Sequence, residues 1–295
     1  MLKRTLVFTN PYHLSLKNSQ MIIKTKDGTG SCKSIPVEDI GFVILENQEI
    51  SITMPLLNAL ADNNAAVIVC SDKFMPNAML LNLDSNSTQG ENFRAQLSAT
   101  EPLKKNIWKQ IVEAKIKNQA ALLRKLNKNG DSLKPYYQNV KSGDSDNKEG
   151  VAAKLYWKEL FHEGFIRLRT GPFPNEMLNY GYTVLRAAVA RSLMGSGLLP
   201  AIGIFHKNRY NAFPLADDVM EPYRPYVDEI VFNLYANGEN ILNKYSKSVI
   251  LKLLYADTFF ENVSRPLDIG LSITTASLAK CYNGSQKKIL YPILK

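Results

Sequence analysis

The residues best suited to chemistry lie between Pro200 and Pro225, in the string PAIGIFHKNRYNAFPLADDVMEPYRP. A run of small and apolar residues leads into His206, a basic polar stretch follows, and three carboxylates come next: Asp217, Asp218 and Glu221. If 214–221 is helical, Asp217 and Asp218 stand one turn before Glu221 and the acids share a face. Like charges on one face repel, and a bound cation relieves that repulsion. Carboxylate oxygen with imidazole nitrogen suits Mg²⁺ or Mn²⁺ better than a thiolate-seeking metal. A plainer reading stands beside this one. Asp217 and Asp218 near a helix start favour the helix dipole and can pair with Arg224 or Arg209, and a lone His206 can be a buried, hydrogen-bonded histidine. Pro222 is expected to end the helix with Glu221 at its rim.

A further acid, Glu149, opens an expected helix running through Val151, Leu155, Trp157 and Phe161. Asp146, three residues earlier, completes a capping-box pattern in which Glu149 serves the helix end alone. Spacing does not bring Glu149 to His206, which lies far along the chain.

Elements that must position these residues follow from periodicity. Residues 5–9, 12–16, 21–24 and 41–45 are short β-rich runs with turns at Asn18 and 28–30, followed by a helix over 55–61 and an apolar strand over 65–70. They make a small β domain with one helix, residues 1–72. Residues 73–92 carry Pro76, repeated Asn and Ser, and Gly90, which is linker chemistry. From 93 to 295 helical periodicity dominates. Ile107, Ile111, Ala114, Ala121 and Leu122 share one face of a helix expected to end at Gly130, with Lys105, Lys109, Lys117, Arg124 and Lys128 roughly opposite. That basic stripe fits a phosphate backbone or simply a solvated face. A helix over 175–194 is closed by Gly195 and Gly197, with Pro200 beyond, and 227–279 reads as mostly helical. The expected fold class is α+β, a small β domain followed by a larger all-α domain.

The chain has 295 residues and 45% hydrophobic content, enough for a sizeable core. Lysine and arginine number 36 against 27 acidic residues, a net charge of +9, which favours polyanionic partners such as nucleic acid and also serves solubility. Cys32, Cys70 and Cys281 show neither zinc-site spacing nor a disulfide framework, which suits a reducing compartment. No signal-peptide core follows Met1 and no apolar run reaches membrane-spanning length, so a soluble, cytoplasmic protein with no membrane partner is expected.

The string HKNRYNAFPLADDVMEPYRP, preceded by LLPAIGIF and LNYGYTVL, together with ENQEISITMPLLNALADNNAAVIVCSD, strongly resembles the CRISPR-associated spacer-integrating endonuclease family, the metal-dependent integrase subunit of the CRISPR adaptation complex. The resemblance runs through the whole chain in order. It implies a β-sandwich-like N-terminal domain, a linker and a larger helical catalytic domain. It also implies a site in which Glu149, His206 and Glu221 are both catalytic residues and ligands of Mg²⁺ or Mn²⁺, with Asp218 as a supporting or alternative ligand and Asp217 a weaker candidate. The wording LADDVMEPYRP looks most like members from systems with a single large RNA-guided effector nuclease.

The implied reaction inserts short foreign DNA into a CRISPR repeat array: a 3′-hydroxyl attacks a phosphodiester by direct transesterification, and water in its place gives hydrolysis. Lys154 and Lys158, one turn apart on the Glu149 helix, and Lys207 and Arg209 beside His206, are the candidate DNA contacts. Tyr180, Tyr182, Tyr210 and Tyr223 either stack on unpaired bases or pack in the core. Implied partners are donor and repeat DNA, a second copy of the chain in a homodimer, and a small ferredoxin-like adaptation subunit. Two other functions fit the same residues: a general metal-dependent nuclease or branched-DNA processing enzyme, and a non-catalytic DNA-binding scaffold whose acids are caps and salt bridges.

Overall fold

Short strands with apolar residues turned to a shared interior build the first of two units in the computed structural model, which describes residues 3–168, 170–206, 208–261 and 263–295. This unit, Met1–Ser87, holds strands β1 (Arg4–Phe8), β2 (Tyr12–Lys17), β3 (Gln20–Thr25), β4 (Lys33–Pro36), β5 (Ile40–Leu45) and β6 (Ser51–Ile52), then helix α1 (Met54–Asp62), then β7 (Ala66–Cys70) and β8 (Pro76–Leu80). They form two four-stranded sheets, ordered β1-β5-β7-β8 and β4-β3-β2-β6. Asn18 and Ser19, both at positive φ, make the tight turn that sets Lys17 opposite Gln20. Every residue of β5 is buried, as a continuous apolar run such as IGFVIL requires in a strand paired on both edges. Phe8, Leu14, Met21, Val43, Leu60 and Val67 belong to one core cluster fed by both sheets and α1.

The sheets carry one feature that the sequence reading did not address and one that departs from it. β1 and β7 run parallel to β5, and β6 runs parallel to β2, so both sheets are mixed. β8 lies inside the stretch expected as linker: it pairs antiparallel with β7 and extends the unit to Ser87. Pro76 suits this position, since a proline opening an edge strand gives up no ladder hydrogen bond.

The second unit, Thr88–Lys295, contains α2 (Gln89–Leu97), α3 (Glu101–Lys125), α4 (Lys134–Gln138), α5 (Lys148–Leu160), α6 (Asn175–Gly195), α7 (Pro214–Met220), α8 (Arg224–Ala236), α9 (Lys244–Leu251), the hairpin strands β9 (Asp257–Phe260) and β10 (Val263–Pro266), and α10 (Leu267–Tyr282). The hairpin corrects the all-α expectation. Its aromatic and β-branched residues pair across the turn, and the Thr258 hydroxyl donates to the Arg265 carbonyl. Helix α3 starts on the Thr100 cap and ends at Lys125, not Gly130, because Asn127 takes the left-handed conformation that stops it. Helix α6 is buried along most of its length, and a Cβ on Gly181 would come within 2.4 Å of Val227 on α8, so glycine permits that close crossing. Among the described residues no helix is long and apolar enough to cross a membrane, and no disulfide joins the three cysteines.

Candidate active site

Three segments of the second unit converge here: the buried face of α3, the first turn of α5, and the turn of 3₁₀ helix, Glu221–Tyr223, that joins α7 to α8. At the start of α5, Asn147 is the cap, its side chain accepting from the Gly150 amide at 3.2 Å. The Asp144 carboxylate accepts from the amides of Lys148 at 2.8 Å and Glu149 at 3.0 Å. These groups take the free amides of the first turn, so the capping box expected from Asp146 is not formed. Asp146 instead faces Lys148 and Lys141. Glu149 is thereby relieved of capping duty.

Its Oε1 accepts from Lys115 Nζ at 2.6 Å, and the same ammonium stands 2.6 Å from Glu221 Oε2. Lys115 projects from α3 with a side chain only 10% exposed. One turn further along α3, buried Asn118 donates to the carbonyls of Pro222 and Pro292 and accepts from the Leu294 amide, fixing the turn that carries Glu221. Glu221 is 3% exposed and is also approached by Arg224 Nε at 3.0 Å. Burial alone would push its carboxyl up, but Arg224 and Lys115 outweigh it and hold the carboxyl below its usual range. Burial likewise pulls the Lys115 ammonium down, and Glu221 and Glu149 together overcome that and raise it. Both groups are charged. Glu221 Oε2 is buried, and its contact is the Lys115 ammonium, in an ion pair whose angles fall short of a well-aligned hydrogen bond.

His206 is held separately. Asp218, fully buried, accepts from the amides of Ile204, Phe205 and His206 and lies 2.6 Å from His206 Nδ1. A carboxylate at Nδ1 calls for the proton there, which leaves the Nε2 lone pair outward. The hydrogen bond to Asp218 raises the imidazole pKa above its ordinary value; burial works against it, while the charges of Asp218, Glu221 and Asp217 add to it. The loop is tight at Gly203, where a Cβ would fall 2.6 Å from the His206 carbonyl and 2.8 Å from Pro214. Phe205 stacks on Trp108 of α3 at 4.2 Å, and Trp108 meets the His206 ring edge-on. Asp217 has a different role: Arg186 grips both its oxygens, at 2.6 and 2.8 Å, and Asn211 donates to it as well.

The structure thus joins Glu149 and Glu221 around one cationic group and places His206 close enough to Glu221 for each charge to shift the other. It does not gather the three into one ligand set, and among the described residues no group of three His, Cys, Asp or Glu is arranged to hold a metal ion. The donor set nonetheless fits a hard divalent cation: two carboxylates already share a cation, and the imidazole nearby, held at Nδ1 by Asp218, turns its Nε2 outward.

Of the candidate DNA contacts, Lys154, Lys158 and Arg209 are exposed, Lys158 pairing with Glu163, and Lys207 lies outside the described residues. Tyr210 is 79% exposed with the Arg209 guanidinium over its ring, whereas Tyr180, Tyr182 and Tyr223 are core residues. Sequence reading missed Lys115 and Arg186. The first had a visible signal: Lys115 continues the row of Ile107 and Ile111 at four-residue spacing, a lysine where the apolar face calls for a hydrophobe.

A family model described as "CRISPR associated protein Cas1" matches residues 5–263. The CRISPR-associated endonuclease Cas1 of Neisseria meningitidis serogroup C (strain 8013) is 41% identical over 237 residues, covering 80% of this chain and 77% of that protein. Among solved structures, a casposase bound to integration product matches with a TM-score of 0.79 at 21% identity, over 98% of this chain and 92% of that one. A chain of a Cas6-RT-Cas1–Cas2 complex matches with a TM-score of 0.73 at 19% identity, over 99% of this chain and 36% of that one. At these identities the structural likeness bears on the fold, and it agrees with a β-rich unit followed by a mainly helical one.

Proposed function

The chain belongs to the Cas1 family of CRISPR-associated proteins, and from that premise we propose that it is a divalent-metal-dependent DNA endonuclease and integrase that inserts short foreign DNA into a CRISPR repeat array. The observation that carries this reading is the meeting of Glu149 and Glu221, far apart in the chain, 2.6 Å from one shared cationic group. Glu149, Glu221 and His206 would hold Mg²⁺ or Mn²⁺. Held there, such a cation would supply Lewis-acid polarisation of the scissile phosphate, offset the charge developing on it and favour ionisation of the attacking hydroxyl.

The chain's own residues do the rest. Asp218 fixes the His206 loop and holds the proton on Nδ1. Arg224 offsets the second Glu221 oxygen. Lys154 and Arg209 are exposed for the DNA backbone, and Tyr210 for an unpaired base. In the reaction a 3′-hydroxyl oxygen forms a new bond to phosphorus as the existing phosphodiester P–O bond breaks, and its proton passes to solvent while the departing strand end takes one up. One structural match is a casposase bound to integration product and another a chain of a Cas6-RT-Cas1–Cas2 complex; in this reading a small, ferredoxin-like adaptation subunit would bridge homodimers of this chain. The LADDVMEPYRP wording supports a system with a single large effector nuclease.

One observation favours the scaffold reading: Lys115 and Arg186 pair with acids of the site as structural salt bridges do. Product analysis separates the possibilities. A duplex with a free 3′-hydroxyl, incubated with a repeat-bearing plasmid and Mn²⁺, should yield covalent half-site products. Glu149→Gln, His206→Ala and Glu221→Gln should each lower their yield by roughly 100-fold or more, with folding and DNA affinity retained. Shortened strands without joining would indicate a nuclease, and unchanged transfer in all three variants would remove the site.

A further inference from the structure

The ammonium of Lys115 sits where a cation between Glu149 and Glu221 would sit, supplied by the chain itself. It is 2.6 Å from an oxygen of each, and among the described residues these two acids are its ion-pair partners. The helix ends nearby do not depend on it, because Asp144 and Asn147 take the amides of α5 and Asn118 holds the 3₁₀ turn. Two carboxylates are matched there by two cationic side chains, Lys115 and Arg224. Adding a dication to that balanced and largely buried group leaves uncompensated positive charge, which is costly away from water. An ammonium at 2.6 Å also blocks the approach of a metal to the oxygens it touches. The lysine stem is flexible, so the ammonium can leave without moving α3.

Resting on the metal-dependent reading above, we infer that Lys115 is an internal counter-cation that competes with the divalent metal: it neutralises Glu149 and Glu221 in the metal-free protein and is expelled from them when the metal binds. The exchange keeps two buried acids from facing each other unpaired and sets the metal affinity of the site below what its carboxylates alone would give. It also frees a cationic side chain beside the metal at the moment of binding. Lys115 is a positioning residue under this inference, acting through the two glutamates.

The test reads metal binding and lysine exposure in the full-length protein at constant pH. Mn²⁺ titrations followed by the paramagnetic resonance signal of free Mn²⁺ should show Lys115→Met binding about tenfold more tightly than wild type, the coupling expected of two competing ligands. Glu221→Gln should abolish that binding, which locates it. In wild type, acylation of Lys115 by an amine-reactive ester, read by peptide mass spectrometry, should be slow without metal and accelerate at saturating Mn²⁺. This arm needs no variant and decides the matter if Lys115→Met does not fold. Mn²⁺ binding to wild type with no change in Lys115 acylation, or with equal affinity in a folded Lys115→Met protein, overturns the counter-cation role and leaves the metal site standing. Absence of Mn²⁺ binding in both proteins overturns the metal site and the inference with it.

Discussion

At His206 a single hydrogen bond does two jobs. Asp218 sets the ring's direction and, by favouring imidazolium, raises its pKa above the ordinary 6.5. A raised pKa means the folded protein holds the proton to higher pH than the unfolded chain does. The stability from this pair is therefore present below the unfolded pKa and fades as pH rises through the folded value. Ligand function has the opposite sense, because imidazolium has no lone pair to give. Strand transfer should accordingly decline as pH falls, beginning above pH 6.5, and Asp218→Asn should move the midpoint of that profile downward while lowering the maximum rate by about 10- to 100-fold. A pH-rate profile checks this, and an unmoved midpoint would refute it. At this scale the sequence was most informative where chemistry is concentrated: His206, Asp218 and Glu221 lie within one short string. The salt-bridge reading of Asp217 named Arg224 or Arg209, whereas its partner, Arg186, lies on another helix, and Lys115 escaped notice because its acids are equally remote in the chain.

Among the elements, α5 shows how a helix end is allotted. Two acids and an amide compete for its free N–H groups, and Asp144 and Asn147 win while Asp146 stays with exposed lysines. Asn147→Ala should destabilise the protein by about 1 kcal/mol, and Asp146→Ala by a few tenths. Equal shifts in thermal melting for the two variants would contradict the assignment. Asn147 caps α5 from the left-handed conformation, a backbone state that a side-chain pattern alone does not reveal. β8 and the β9–β10 hairpin were missed for a related reason. Strands this short draw their stability from partners elsewhere in the chain: Pro76 with asparagine points away from β structure in one case, and in the other Thr258, Phe259, Phe260 and Val263 favour it but are too few to stand out in a stretch of mostly helical period. Long helices such as α3 and α6 carry their own period and were legible.

For the whole molecule, the order of a β-rich unit followed by a mainly helical one was readable from period alone, while the mixed sheets and the unit boundary at Ser87 required the structure. The net charge of +9 is spread over a chain whose candidate site is itself charge-balanced, so DNA affinity should come from lysines and arginines outside the two glutamates. Non-specific affinity for duplex DNA should fall by about 10³-fold or more between roughly 50 and 200 mM salt, if some six phosphates are contacted. Glu149→Gln should leave that slope unaltered. Filter binding across a salt series measures both, and a flat dependence would remove the polyanion reading.

The stack of Trp108 on Phe205 has an optical consequence. Indole emission responds to its surroundings, and this ring lies between α3 and the residue preceding His206. The chain has one other tryptophan, Trp157, so Trp157→Phe isolates the signal. Any ligand that disturbs the histidine loop should then change the colour or intensity of the protein's own fluorescence, which gives the loop a built-in dye that can be followed in real time without a label.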